Sequence, residues 1–140
     1  MAEALDKYKI LVKRLHLFLK EQGFPFKKDG FTLRWIDESA SPKIAKIVNF
    51  QRSAFSTRNC ISFTINLGVL IEYGEKPISQ KLKESECPIR KRPASFTGKY
   101  PYDKWWDVTE TTDIEQLYSE LCDLTVESII PFFELYQNSR

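Results

Sequence analysis

Histidine occurs once in this 140-residue chain, glycine five times and cysteine three times, and each scarcity removes a class of function. His16 and the scattered Cys60, Cys87 and Cys122 offer neither Cys-x-x-Cys nor His-x-x-x-His spacing, so no metal and no cofactor is expected. The glycines do not cluster, and Gly74-Glu75-Lys76 is too short and too poor in glycine to cradle a phosphate. An odd number of cysteines cannot pair completely within the chain. Met1 to Leu5 carries an acid instead of a basic cluster, and the apolar positions that follow are interrupted by Lys7, Lys9, Lys13 and Arg14. The expectation is reduced thiols in a cytoplasm. No run approaches the roughly 20 apolar residues that span a bilayer. An excess of one charge is also missing: 21 Lys and Arg against 19 Asp and Glu leave +2. That is too weak a field to recruit nucleic acid or an anionic membrane, so neither is expected as a partner.

What the chain does have is a hydrophobic content of 42%, enough for one core, and nothing that reads as a linker or repeat. A single domain over 1–140 is expected. Residues 2–22 read as an amphipathic helix, with Ala4, Leu5, Tyr8, Leu11, Val12, Leu15, Phe18 and Leu19 in one arc and Gly23 placed to end it. Ile10 and Leu17 lie on the other face, as single exposed apolar residues or as a small contact for a loop or partner. After the turn Lys28-Asp29-Gly30, Phe31, Leu33 and Trp35 alternate with Thr32 and Arg34 as a half-buried strand. Lys43 to Arg52 forms a second strand, and Cys60 to Tyr73 alternates most strictly of all, with a bulge or bend expected near Gly68. A short strand is expected at Ile89 to Arg92 and a last edge strand at Asp103 to Val108. Thr112 and Glu115 have the spacing of a capping box before a helical stripe from Ile114 to Leu135, kinked or broken at Pro131. The fold class is therefore α+β: an antiparallel sheet of four to five strands, N- and C-terminal helices on one face, and the polar face left open.

The runs Ile47-Val48-Asn49-Phe50-Gln51-Arg52-Ser53 and Phe63-Thr64-Ile65-Asn66-Leu67-Gly68-Val69 resemble a bacterial family catalogued as domain of unknown function 4304. Glu86-Cys87-Pro88-Ile89-Arg90-Lys91-Arg92, Asp103-Lys104-Trp105-Trp106-Asp107-Val108 and the closing Pro131-Phe132 extend the likeness over nearly the whole chain. The resemblance implies the same fold class and a bacterial cytoplasmic setting, and it carries no activity.

Function is sought on the open face. Asn49, Gln51, Thr64 and Asn66 make it neutral and rich in hydrogen-bonding groups, either as the floor of a groove or as an ordinary solvated sheet. Arg90 and Arg92 share a face and either clamp an anion or pair with acids such as Asp103 and Asp107. Trp105 and Trp106 must point opposite ways, one to the core and one to the open face or rim. Cys87 beside these arginines lacks a nearby base, since His16 lies across the core, and it reads as a small buried residue, not a nucleophile. The leading expectation is a non-enzymatic module, immunity-like or accessory, binding an unidentified protein through Asn49, Gln51, Thr64, Asn66, Arg90, Arg92, Trp105 and Trp106. The alternative is a small anionic ligand, or an enzyme acting on one, held by Arg90 and Arg92.

Overall fold

The first helix ends where its backbone groups can still be satisfied. In a computed structural model that describes residues 3–39, 41–72, 78–93 and 104–136, α1 runs Glu3–Glu21. Gly23 then takes φ +91°, which a residue with a Cβ resists, and the Gly23 and Phe24 amides donate back to Lys20 O and Leu19 O. Phe24 and Leu19, on either side of this cap, are both buried in the main core.

Among the described residues six strands follow, all antiparallel: β1 (Lys27–Asp29), β2 (Thr32–Asp37), β3 (Ile44–Arg52), β4 (Cys60–Ile71), β5 (Ile89–Lys91) and β6 (Trp106–Thr109). The order is β1-β2-β3-β4-β5, and β6 pairs with the other half of the β4 edge. Four to five strands were expected. The extra one is β1, whose three exposed residues carry no alternation for a sequence reading to find. The β1–β2 hairpin turns on Gly30 at φ +62°.

The long strand β4 has no bulge. Its ladder with β3 runs in unbroken register from Ile44↔Ile71 to Arg52↔Phe63, and Gly68 sits within it opposite Ile47 and Arg90. Gly68 answers a different need. A Cβ there would lie 2.9 Å from Cys87 Sγ and 3.1 Å from Cys87 Cβ, so the glycine admits a crossing segment. The expected continuation to Tyr73 and the start of the expected edge strand at Asp103 lie outside the described residues.

The C-terminal helices pack beside α1 on one sheet face. The helix α2 (Ile114–Leu124) starts one residue later than the capping-box spacing suggests: Asp113 Oδ1 accepts from the Gln116 amide, while Thr112 Oγ1 accepts from the Thr109 amide. A π turn over Thr125–Ile129 leads into α3 (Ile130–Glu134). Ile130 N–H reaches back five residues to Thr125 O, and this wider turn leaves room for the Pro131 ring without stopping the helix. Leu135, expected on the apolar stripe, is 75% exposed.

The main core joins Tyr8, Leu11, Leu15 and Leu19 of α1 to Val48, Phe50, Phe63, Ile65 and Leu67 of the sheet and to Leu121 and Phe133. Tyr8 donates to Phe50 O at 3.1 Å and stacks on Phe31. Lys46 lies on the helix side of the sheet, 1% exposed, with its ammonium 4.7 Å from the Trp35 ring. Burial lowers the pKa of Lys46 below the ordinary lysine range, against the pull of Asp37 and Glu134. Arg14 ties α1 to α2 with two hydrogen bonds to Glu115 and lies over Tyr118.

Candidate functional site

The polar sheet face is only half open. Ala45 and Ile47 on β3 make a second apolar cluster with Leu82 and Cys87, so the segment from Ile78 to Cys87 crosses one half of the face. Arg34 Nε holds this segment by donating to Leu82 O at 2.7 Å. Glu84, only 7% exposed, accepts from Arg90 Nε at 2.6 Å and from Arg90 Nη2 at 3.4 Å. Glu86 fixes the 3-10 turn over Glu84–Glu86 by accepting from the Lys83 amide. Cys87 lies in the lid's buried contact, where burial and the neighbouring Glu84 raise its thiol pKa to about 11, so it is protonated at neutral pH.

Beyond the edge of this lid the expected residues come together. Arg92 Nε donates to Asn66 Oδ1 at 2.9 Å, and Asn66 Nδ2 donates to Gln51 Oε1 at 2.7 Å and to Asn49 Oδ1 at 3.3 Å. Asn49 Nδ2 in turn donates to Thr32 Oγ1 at 3.2 Å. The direction of this ladder follows from one charge: a guanidinium can only donate, so Asn66 must turn its oxygen to Arg92 and its amide to β3. With their oxygens accepting, the amide nitrogen of Gln51 and the hydroxyl of Thr32 keep donor capacity for a ligand. Asn66 is the hub, 5% exposed and engaged at both ends.

The β2 and β3 members of the ladder, Thr32, Asn49 and Gln51, line a groove of about 580 Å³. Its walls carry four cations, Arg34, Lys81, Lys83 and Arg90, against the two acids Asp29 and Glu84. Asp29 lies 3.5 Å from Arg34, and Glu84 is bound to Arg90, so the surplus positive charge resides on Lys81 and Lys83. The groove is a donor-rich concavity suited to an acceptor-rich ligand.

The remaining expected residues sort by face. Trp105 points to the open side, with the Arg92 guanidinium 5.5 Å from its ring. Trp106 points into the core, stacked on Phe63 and donating through Nε1 to Glu120 at 2.8 Å. Thr64 donates to Lys104 O and so secures the approach to β6. Arg90 and Arg92 are not a joint clamp: Arg90 is paired with Glu84, six residues away, and Arg92 serves the amide ladder. Besides Asp29 and Ser85, the groove residues not among the expected site residues are Thr32, Arg34, Lys81, Lys83 and Glu84. Alternation in β2 put Thr32 and Arg34 on this face, whereas nothing local marks the other three. Among the described residues no group of His, Cys, Asp and Glu could hold a metal ion. His16 is engaged with Phe26 O at 2.7 Å. No helix among the described residues is long and apolar enough to cross a membrane.

Fold and site together define an α+β domain with its helices side by side on one sheet face and a polar groove, bounded by the 78–87 segment, on the other. The chain belongs to the family described as Domain of unknown function (DUF4304), which matches residues 15–135. No curated protein and no solved structure matches it.

Proposed function

We propose that this domain is a non-catalytic binding module whose groove takes an acidic, acceptor-rich segment of a partner protein. The observation that carries this is the fixed polarity of the amide ladder, which leaves Gln51 and Thr32 as donors in the groove with Lys81 and Lys83, neither of which makes an ion pair among the described residues. Small-molecule sites are mostly apolar and enclosed, whereas this groove is polar and lies between a sheet and a surface segment, which favours a peptide-like occupant. An accessory or immunity-like role in a bacterial cytoplasm fits such a module, and the three free cysteines suit a reducing compartment. A small polyanion is the second reading, favoured by the groove volume of about 580 Å³, within the usual range for ligand sites.

The test compares wild-type chain with a Lys81→Glu/Lys83→Glu double variant of verified fold as baits for lysate proteins. Both lysines are exposed and make no ion pair among the described residues, so the fold should survive. A protein retained by the wild type, released by moderate salt and lost by the double variant supports the reading. Equal retention by both baits, or none by either, counts against it. A thermal shift with citrate or phosphate that is abolished by the double variant would favour the small polyanion.

A further inference from the structure

On the opposite side of the sheet, where α1 meets the β1–β2 hairpin, the structure holds a second groove of about 320 Å³. Its chemistry is the reverse of the first: an apolar floor with a cationic rim. Phe31 supplies the floor and is held rigidly, stacked on Tyr8 with ring centroids 4.9 Å apart, while its carbonyl accepts from the Phe50 amide. Ile10 forms one wall and is 51% exposed, on a helix that buries six apolar residues on its other face. Gly30, in its left-handed turn, leaves the mouth without a side chain. Around this floor stand Lys9, Lys13 and Lys28, with no acid in the lining and no ion pair to any of the three among the described residues. The Arg52 guanidinium lies 5.5 Å from the Phe31 ring and adds a fourth positive charge.

We propose that this groove is a binding site for a short acidic peptide segment that inserts one apolar side chain against Phe31 and Ile10 while its flanking carboxylates meet Lys9, Lys13 and Lys28. Charge complementarity selects the occupant: an uncharged apolar partner would leave three ammonium groups facing it, and a cationic one would be repelled. The concavity selects a protruding side chain over a flat lipid surface, because Phe31 is sunk between the helix and the turn. This site goes beyond the open-face groove and does not depend on it, since Lys28 lies on the helix side of β1, opposite Leu33, while Asp29 faces the other groove.

The test measures fluorescence polarisation of a labelled Asp-Glu-Phe-Leu-Glu-Asp peptide against the full chain at low salt. It uses the wild type and, to remove the contribution of the other groove, the Lys81→Glu/Lys83→Glu background. Binding with a dissociation constant on the order of 10–100 µM is expected in both. Ile10→Glu and Lys13→Glu, both at exposed helix positions, should each weaken it by about tenfold. Circular dichroism verifies their fold. Replacing Phe and Leu of the peptide by Ser at the same charge should weaken binding to a similar degree. The proposal is overturned if the Ser peptide binds as well as the original, or if Ile10→Glu and Lys13→Glu leave binding unchanged. It is also overturned if no peptide binds, or if the chain sediments with phosphatidylserine vesicles and the peptide fails to displace it.

Discussion

A methyl group at position 68 gives a test whose sign depends on the lid. Gly68 has an ordinary strand backbone, so replacing it with alanine should by itself stabilise the protein by roughly 0.5–1 kcal/mol, through a less flexible unfolded chain. In the folded protein, however, the new Cβ would meet Cys87 Sγ at 2.9 Å, Cys87 Cβ at 3.1 Å and Glu84 Cγ at 3.2 Å. Cys87 is 4% exposed and Glu84 is held by Arg90, so neither can yield freely. Overpacking of this kind costs about 1–3 kcal/mol, and it outweighs the backbone gain. Gly68→Ala should therefore lose about 1–2 kcal/mol, read as a lower urea midpoint with an unchanged m-value by tryptophan fluorescence. Cys87→Ala removes the closest atom and costs about 1 kcal/mol alone through a small cavity. In the double variant the two losses should not add, with a coupling of about 1 kcal/mol in the stabilising direction. A neutral or stabilising Gly68→Ala, or strict additivity with Cys87→Ala, would refute the packing of the 78–87 segment on the sheet and with it the wall of the groove.

Other perturbations probe separate parts of the structure. Lys46→Met replaces a buried ammonium by an apolar chain of similar shape, and should raise stability at neutral pH by about 1–2 kcal/mol despite losing the contact with Trp35. Because the folded-state pKa of Lys46 lies below 10.5, the unfolded chain binds more protons in the window between the two values, and wild-type stability gains there as pH rises. The advantage of Lys46→Met should thus shrink towards about pH 10 in paired urea titrations, and a constant gap would contradict the burial argument. For Cys87 the sign is opposite. Its pKa rises from 9.0 unfolded to about 11 folded, so its contribution is complete below about 9 and lost as pH climbs to about 11. Cys87→Ala should lack this alkaline loss in parallel melts. Asn66→Ala removes the hub of the amide ladder and its hydrogen bonds with Arg92, Asn49 and Gln51, for an expected loss of about 2–3 kcal/mol in thermal unfolding. Gln51→Ala, at the exposed end, should cost less than about 0.5 kcal/mol, and equal costs would show that the ladder does not act as a unit.

The sequence by itself determined which way the first helix and the long strands face. The stripe of Ala4, Tyr8, Leu11 and Leu15 and the alternation of Ile61, Phe63, Ile65 and Leu67 admit one arrangement, helices over one sheet face, and those residues form the core. The same alternation put Asn49, Gln51, Thr64 and Asn66 on the other face, and the adjacency of Trp105 and Trp106 forced them apart, though not which went inward. The register of β6 settled that: Trp106 lies opposite Phe63 on the core side.

Only the tertiary structure decided what lies across the polar face. Periodicity specifies a face and never the partner that covers it, so a segment without alternation, 78–87, could be placed only by seeing Leu82 and Cys87 on Ala45 and Ile47. Its arrival explains Gly68, which as a sequence feature looked like a bend. It also pairs Glu84 with Arg90, leaving Arg92 to orient the amide ladder. Lys46 shows the same limit from the other side: its place in β3 assigns it to the core face, but its burial depends on Trp35 folding over it from β2. Covalent neighbours set direction along the chain, whereas cover, pairing and charge balance arise from residues that meet only when the sheet and its lid have closed.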